Sequence, residues 1–312
     1  MKHDIERLIE DLVAEHQHGA IVVAEHAADI LKKRVSSGEP SSPEAFRREL
    51  LLTGWALIRA FPTMAPLVNL VNSVLWKAEE SEAPHELRSI VIDATDDFKH
   101  QLRQRPGFVA ERALPLINDG TTIVTISSST TVRQALLHAQ RAGRRFSVIC
   151  AESRPRYEGQ ELAAALAAAG IPTQLMIDTA AIEAVPTAHL VLVGADMLSM
   201  RGLVNKIGTS ALAVAAQHAR VPFYTLCGSE KFLPPGFPQL EQHDWNADEI
   251  WLARPEGAAV VNRYFDTTPL HLISGIVTER GTLTVAAIEA WLATARLHPV
   301  LTGVAATHGI LT

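Results

Sequence analysis

The sequence has few cysteines and no long apolar run, and both shortages exclude classes of protein. The 2 cysteines, Cys150 and Cys227, lie in separate apolar stretches. They predict neither a disulfide framework nor a zinc site, but buried, reduced thiols of a cytoplasmic protein. The apolar runs fall short of the ~18 residues that a membrane-spanning helix needs. Because the amphipathic, acidic N-terminus is also unlike a signal peptide, we expect a cytoplasmic protein that does not bind a membrane.

Positive charge is also scarce. The chain has 28 Lys and Arg against 34 Asp and Glu, a formal net charge of -6, which argues against a basic face for nucleic acid. Its 13 histidines show no zinc-binding spacing. The remaining composition, 47% hydrophobic and 20% charged, is ordinary for a globular protein. The length of 312 residues suggests about two domains.

Helical periodicity runs through residues 1–117, which we predict to form an all-helical domain. A helix within it is expected to begin at Ser42, whose hydroxyl can cap the first turn, with Pro43 at the first helical position. The apolar residues of the first segment repeat at helical spacing and share one face: Ile5, Leu8, Ile9, Leu12 and Val13.

The pattern changes after Asn118, where short β-branched runs begin to alternate with helical segments. Such alternation predicts parallel strands joined by crossover helices. We therefore predict that residues 118–312 form a Rossmann-like α/β domain with a parallel sheet. The expected strands cover residues 122–126, 145–150, 173–177, 189–193 and 222–226.

Ligands of such sheets bind beyond the carboxyl ends of the strands, so the residues that follow each strand are candidates for a site. After the first strand, Ser127, Ser128 and Ser129 are followed by two threonines and a helix. Hydroxyls and free N–H groups at a helix N-terminus can hold a phosphate, although a helix cap needs one hydroxyl only. The sequence has no glycine-rich dinucleotide motif and no Walker lysine, so neither kind of nucleotide site is predicted here.

The second and third strands end in charged residues whose role the sequence leaves open. Arg154 and Arg156 follow the second strand. They could bind an anion, or they could pair with the neighbouring Glu152 and Glu158. Asp178 ends the third strand, where we expect it to cap a helix.

The fourth and fifth strands end in residues suited to acid–base chemistry. Gly194 and an alanine precede Asp196, Asn205 and Lys206 come before a helix, and Lys231 follows the fifth strand. A carboxylate of raised pKa can move protons, and lysines beside a helix N-terminus can hold a phosphate. This set suits isomerisation of a sugar phosphate through an enediol, and it also suits ligand sensing. In a further alternative, Asp196 and Lys206 only neutralise each other.

Four stretches of the chain resemble one known family: "ESRPRYEGQELAAALAAAGIPT", "GADMLSMRGLVNKIGTSALAVAA", "PFYTLCGSEKF" and "FDTTPLHLISGIVTERG". That family unites the alpha, beta and delta regulatory subunits of eukaryotic initiation factor 2B with methylthioribose-1-phosphate isomerase and ribose-1,5-bisphosphate isomerase. The resemblance covers nearly the whole chain and is weaker in the N-terminal part. It implies a helical domain followed by a Rossmann-like domain, a homodimer formed through the latter, and no metal or nucleotide cofactor.

The resemblance also implies site residues. The isomerases of the family open the ring of an aldose 1-phosphate and convert it to a ketose, with a cysteine after the first strand and the aspartate of Gly-Ala-Asp. Asp196 matches that aspartate, and with Ser127 it forms our pair of catalytic candidates. The candidates for binding a small phosphorylated sugar or nucleotide are His18, Gly19, Ser128, Ser129, Arg154, Asn205, Lys206 and Lys231.

The sequence departs from the isomerases at three of these family positions. Ser127 replaces the cysteine, and a serine hydroxyl is a far weaker acid and nucleophile than a thiol. His18 and Phe61 stand where the isomerases have arginines. Three functions therefore stay open: an isomerase with an altered site, a non-catalytic regulatory protein that binds a sugar phosphate or nucleotide, and a scaffold with a silent pocket.

The functional hypotheses depend on one geometric expectation. Residues far apart in sequence must converge around a common hollow lined for negative charge. The residues expected to do so are Ser127, Asp196, Lys206 and Lys231.

Overall fold

A computed structural model describes residues 2–14, 19–37, 42–242 and 244–303 of the chain. Its contacts divide the chain into two compact units. The helical unit comprises Met1–Gln104, Glu230–Glu241 and Trp291–Thr312, and the sheet unit comprises Arg105–Ser229 and Gln242–Ala290. Our predicted boundary between residues 117 and 118 divides the chain once, and it stays a prediction.

Helices occupy the first part of the chain, as the periodicity predicts, and its described residues form five of them. They are α1 (Lys2–Ala14), α2 (Ala20–Ser36), α3 (Pro43–Ala60), α4 (Ala65–Ala78) and α5 (Pro84–Ala113). The hydroxyl of Ser42 accepts a hydrogen bond from the N–H of Ala45 and caps α3, so that expectation is confirmed. In the core of the helical unit α3 lies close to α4, where Gly54 faces Val71: a Cβ built on Gly54 would lie 2.6 Å from Val71 Cγ1.

The described residues of the sheet unit form ten strands and further helices. In chain order the strands are β1 (Thr122–Thr125), β2 (Ser147–Ala151), β3 (Thr173–Met176), β4 (Leu190–Val193), β5 (Met197–Ser199), β6 (Gly202–Lys206), β7 (Phe223–Leu226), β8 (Phe265–Thr268), β9 (Gly275–Thr278) and β10 (Gly281–Leu283). The helices that follow α5 are α6 (Thr130–Arg141), α7 (Glu158–Ala168), α8 (Asp178–Ala184), α9 (Thr209–Ala219), α10 (Val285–Thr294) and α11 (Pro299–Gly303). Of these, α11 belongs to the helical unit, and the unit boundary at residue 290 falls within α10.

Seven strands form the main sheet in the order β10-β9-β7-β4-β1-β2-β3. All neighbouring pairs are parallel except β9 with β10. The predicted Rossmann-like parallel sheet is therefore confirmed. The chain runs outward from β1 through β2 to β3, and then returns to place β4 on the other side of β1. By the general rule for such sheets, this reversal of strand order is expected to place a ligand crevice between the carboxyl ends of β1 and β4.

Apolar packing on the main sheet explains why its central strands have continuous apolar sequences. Ile123 of β1, Val148 of β2 and Leu192 of β4 are fully buried, and they belong to one core with Val132 and Leu136 of α6. Strands covered by helices on both faces need apolar side chains at successive positions. The polar residues of these segments are thereby confined to the strand ends.

A small second sheet, β5-β6-β8, is antiparallel and differs from the sequence-based expectation. From the sequence, Asn205 and Lys206 are expected directly before a helix, without a strand of their own. Both residues lie at the end of β6, and α9 follows them. Gly202 begins that strand with φ 141°, and a Cβ there would lie 2.5 Å from the carbonyl oxygen of Thr268 in β8. Because successive side chains of a strand point to opposite faces, Asn205 and Lys206 face different surroundings.

Among the residues that the structure describes, none of the helices combines the length and the apolar character needed to cross a membrane.

Candidate active site

The backbone after β1 is fixed by a chain of hydrogen bonds that links three strand ends. Ser127 has a left-handed backbone (φ 70°), and its N–H donates to Ser153 Oγ at 2.7 Å. Ser153 Oγ donates in turn to the carbonyl of Ala151 at 3.0 Å. The carboxylate of Asp178 accepts from the N–H groups of Ser153 (2.7 Å) and Arg154 (2.8 Å). We call this arrangement, Ser127 with Ser153 and Asp178, the serine clamp.

The serine clamp corrects one expectation. Asp178 was expected to cap a helix, but it is the first residue of α8, and Ile177 precedes it as a cap without a side-chain hydrogen bond. Its carboxylate instead holds the loop after β2. The clamp also uses the N–H of Ser127, so a phosphate at the start of α6 would have to use other donors of the serine run.

Side chains from β6 and from the start of α6 converge beside Gly194 at the end of β4. A Cβ built on Gly194 would lie 2.5 Å from Ser129 Oγ and 3.9 Å from Asn205 Oδ1. Asn205 is buried, and its Nδ2 donates to Thr209 Oγ1 at 3.0 Å. Ser129 also caps α6. The structure thus brings Ser129 and Asn205 together in the crevice between β1 and β4, and glycine at 194 is what leaves room for them.

Lys206 points to the other side of β6 and is almost completely buried, with 3% of its surface exposed. Its Nζ donates to Glu158 Oε1 at 2.9 Å and lies 5.1 Å from the ring centroid of Tyr264. Burial lowers the pKa of Lys206, and the negative charges of Glu158 and Asp178 partly offset that effect. The structure pairs Lys206 with Glu158. The sequence left Asp196 open as one alternative partner.

The two arginines after β2 are engaged with the loop before β8. Arg156 Nη1 donates to Glu249 Oε1 at 2.7 Å, and the hydroxyl of Tyr264 donates to Glu249 Oε2. Burial raises the pKa of Glu249, but hydrogen bonds from Tyr264, Arg156 and Asn262 outweigh it and lower the pKa. Arg154 donates to the hydroxyl of Tyr157 and lies 4.8 Å from the centre of its ring. The sequence left open whether these arginines bind an anion or form ion pairs. Arg156 forms an ion pair, and its partner is Glu249.

The catalytic candidate Asp196 follows β4 at the same edge of the sheet. Its side chain is partly buried, and its backbone N–H donates to the carbonyl of Val204 in β6 at 3.0 Å. Ser127 and Ser128 after β1 are also partly buried. The sheet unit therefore carries both catalytic candidates at the ends of adjacent strands, and their roles stay predictions.

Three other binding candidates lie elsewhere in the chain. Lys231 belongs to the helical unit, where it lies in a 3₁₀ turn and is 4% exposed. Asn69 Nδ2 holds this turn by donating hydrogen bonds to the carbonyls of Glu230 (2.7 Å) and Phe232 (2.8 Å). Gly19 is exposed and precedes α2. His18 lies outside the described residues. The expected convergence of Ser127, Asp196, Lys206 and Lys231 stays a prediction.

Sequence reasoning missed three residues that shape this region: Ser153, Glu158 as the partner of Lys206, and Tyr264. Ser153 and Glu158 lie in the run after β2, where the strand-end rule already directed attention to the arginines. Tyr264 precedes β8, a strand that the sequence pattern did not reveal. Only the long-range contacts identify their partners.

A hollow of about 810 Å³ lies along α9 on the sheet unit. Its lining is mainly apolar, with Asp266 and His218 as charged or titratable members, and it contains none of the predicted site residues. Asp266 accepts hydrogen bonds from the N–H groups of Gly208 (2.8 Å) and Ser210. Its carboxylate therefore satisfies backbone donors at the start of α9. This hollow is therefore separate from the crevice between β1 and β4.

The thiols of the sheet unit are expected to be unreactive in the folded protein. Cys150 and Cys227 are free and buried, and burial raises the pKa of Cys150 to about 12. At neutral pH Cys150 is therefore a thiol, which is not the nucleophilic form. We predict that iodoacetamide at about pH 7.5 leaves the native protein unmodified. In about 6 M guanidinium, which unfolds a typical domain, it should alkylate both cysteines. Intact mass measures both results. Fast modification of the native protein at either cysteine would contradict this and would reveal an accessible thiolate.

Comparisons with known proteins agree with this architecture. The model of the initiation factor 2 subunit family matches residues 16–285. The chain is 34% identical over 275 residues to a ribose 1,5-bisphosphate isomerase of Archaeoglobus fulgidus, with 85% of each chain covered. It is 32% identical over 226 residues to a putative translation initiation factor eIF-2B subunit 2-like protein of Pyrococcus horikoshii, with 72% of this chain and 77% of the relative covered.

Among solved structures, the translation initiation factor eIF-2B of Pyrococcus horikoshii OT3 superposes with a TM-score of 0.77 at 26% identity. The match covers 90% of this chain and 97% of the other. The sequence resemblance is thereby confirmed at the level of both sequence and fold. The chain belongs to the initiation factor 2 subunit family.

Proposed function

We propose that this protein is a sugar-phosphate isomerase that converts an aldose 1-phosphate to a ketose phosphate, with a site altered at the acid position. The observation that carries the proposal is the crevice between β1 and β4, where Ser129, Gly194 and Asn205 converge and Asp196 follows on the same strand end. The relative from Archaeoglobus fulgidus, which bears the name ribose 1,5-bisphosphate isomerase, supports the same class of reaction.

The proposed reaction needs a base and an acid on the sugar. The base removes the proton from C2 while the acid gives a proton to the ring oxygen, whose bond to C1 breaks as the C1–C2 double bond forms. Return of a proton to C1 and loss of the proton on the C2 hydroxyl then give the ketose. Asp196 is the proposed base, since a partly buried carboxylate can work near neutral pH. Ser127 occupies the acid position, held by the serine clamp.

The proposed phosphate site is the start of α6. Ser128 and Ser129 bring hydroxyls to the positive end of the helix dipole, which favours an anion. Asn205 lies beside Gly194, as Ser129 does, and we propose that it faces the same ligand. The substrate therefore lies across the ends of β1 and β4, with its phosphate toward α6 and its reacting carbons toward Asp196.

A second candidate function is a non-catalytic regulatory protein that binds a sugar phosphate or nucleotide. The observation that favours it is Ser127 itself, because its hydroxyl is a weak acid and its N–H is already used by Ser153. A relative named for initiation factor 2B is consistent with it. A homodimer, a cytoplasmic location and the domain boundary at residues 117 and 118 stay predictions in either case.

An assay of the purified protein for conversion of sugar phosphates distinguishes the two functions. The panel comprises ribose 1,5-bisphosphate, methylthioribose 1-phosphate, ribose 1-phosphate and glucose 1-phosphate, with ³¹P NMR to detect the ketose product and thermal shift to detect binding. We expect conversion of at least one of them. Binding without conversion of any compound would favour the regulatory function, and the absence of both binding and conversion would overturn both proposals.

A further inference from the structure

The backbone that carries Asp196 passes from the main sheet to the small sheet between two strands. β4 pairs with β7 as far as Val193, which lies opposite Thr225, and β5 begins at Met197. The residues between them, 194–196, lie outside both strands, and we call them the β4–β5 corner. Buried backbone groups need partners, so single hydrogen bonds have to hold this corner in place of a strand ladder.

The β4–β5 corner is tied to both sheets. On the side of the main sheet, Thr225 Oγ1 of β7 donates to the carbonyl of Gly194 at 2.9 Å. On the side of the small sheet, the N–H of Asp196 donates to the carbonyl of Val204 in β6 at 3.0 Å. The first bond fixes the point where the chain leaves β4, and the second fixes the point where it enters β5.

The hydroxyl of Thr225 restricts the peptide that follows β4. The Thr225 side chain is completely buried, and a β-branched side chain has few rotamers. A buried carbonyl that loses its donor costs free energy, so the Gly194 peptide keeps the orientation in which Thr225 reaches it. Gly194 is also crowded by the start of α6, since a Cβ on it would lie 2.5 Å from Ser129 Oγ.

We propose that Thr225 is a positioning residue for the reaction, because it fixes the Gly194 peptide and thereby the direction in which the carboxylate of Asp196 is presented. Thr225 is buried and acts through the backbone, not by contact with the substrate. The inference rests on the proposed function, in which Asp196 is the base, and it adds a residue of the neighbouring strand β7. A misplacement of about 1 Å can reduce a rate by about 10²-fold, so one buried hydroxyl can control turnover.

Thr225→Val removes the hydroxyl and keeps the shape of the side chain. We expect it to lower kcat about tenfold or more on the best substrate of the panel, because the carboxylate of Asp196 is no longer held in its direction. KM should stay within about threefold of the wild-type value, since Thr225 does not touch the substrate. Thr225→Ser keeps the hydroxyl and is expected to have a kcat within about threefold of the wild type. Steady-state kinetics measures these effects.

The matched control is Thr125→Val in β1 of the same sheet. Thr125 is also completely buried, and among the described residues its Oγ1 has no hydrogen-bond partner. The same loss of a hydroxyl should therefore leave kcat and KM unchanged, because no hydrogen bond is broken. Circular dichroism and thermal melting verify that the variants fold.

A double-mutant cycle distinguishes a positioning role from a general effect on the fold. If Thr225 acts through Asp196, Thr225→Val lowers kcat in the wild-type background and does not lower it further in the Asp196→Asn background. A general loss of stability would instead lower turnover by the same factor in both backgrounds.

Three results would overturn the inference and leave the proposed function intact. They are a turnover of Thr225→Val above about half of the wild-type value, equal losses in Thr225→Val and Thr225→Ser, and the same loss in both backgrounds of the cycle. If the wild type converts no sugar phosphate, the proposed function is wrong and the inference falls with it. If Thr225→Val does not fold, Thr225→Ala and Thr225→Ser, which differ by the hydroxyl alone, provide the same comparison.

Discussion

Asp196→Asn is expected to reduce turnover by a factor of about 10² to 10⁴, the usual contribution of a general base. Asparagine has the shape of aspartate but cannot accept the proton from C2 of the sugar. The backbone at this position is anchored by the hydrogen bond to Val204, so the substitution should leave the strand end in place. Ligand affinity is therefore expected to stay within about threefold of the wild type, because the base acts in the transition state more than in binding.

Steady-state kinetics and isothermal titration on the best substrate of the panel measure the two effects separately. Glu183→Gln is the matched control, since this residue is exposed on α8 of the same unit and loses the same charge. A control with normal turnover shows that charge alone is not responsible. If Asp196→Asn keeps more than half of the wild-type turnover, Asp196 is not the base and the proposed mechanism is wrong.

The general architecture could be predicted because local sequence patterns determine it. Helical spacing in the first segment and the Ser42 cap gave α1 and the start of α3, and continuous apolar runs gave the central strands β1, β2 and β4. Strands with helices on both faces have only their ends available for polar residues, so reading the strand ends led to the crevice between β1 and β4.

The details of the site could not be predicted, because long-range contacts decide them. The strands β5, β6 and β8 are antiparallel and lack the apolar runs that revealed the central strands of the parallel sheet. As a consequence the sequence could not indicate that Asn205 and Lys206 face different surroundings. The partner of Lys206 is 48 residues away in sequence, and nothing in the local pattern separates Glu158 from the other acidic residues.

The serine clamp illustrates the same limit. Its hydrogen bonds join residues 25 or 26 positions apart, from the ends of β1, β2 and β3. The run of serines after β1 suggested either a phosphate site built from several hydroxyls and free N–H groups, or a helix cap that uses one hydroxyl. The structure shows that the N–H of Ser127 is used by Ser153, so the ligand has fewer donors than the sequence implies.

Gly159→Ala is expected to lower the free energy of unfolding by about 3 kcal/mol or more, because overpacking against a rigid neighbour belongs to the costliest single changes. The added Cβ would lie 1.7 Å from the carbonyl oxygen and 2.8 Å from the carbonyl carbon of Ala151. Both are backbone atoms of β2, which is paired on both sides and cannot shift to make room. The helix α7 must therefore move away from the sheet.

Urea unfolding followed by circular dichroism measures the loss, and Gly107→Ala is the control. Gly107 lies within α5 with nothing within 4 Å of its Cβ position, so alanine there should be neutral or stabilising by up to about 1 kcal/mol. If the free energy of unfolding of Gly159→Ala lies within about 1 kcal/mol of the wild-type value, α7 can move away from the sheet at little cost. The loss of stability in Gly159→Ala therefore measures how rigidly α7 is held against β2.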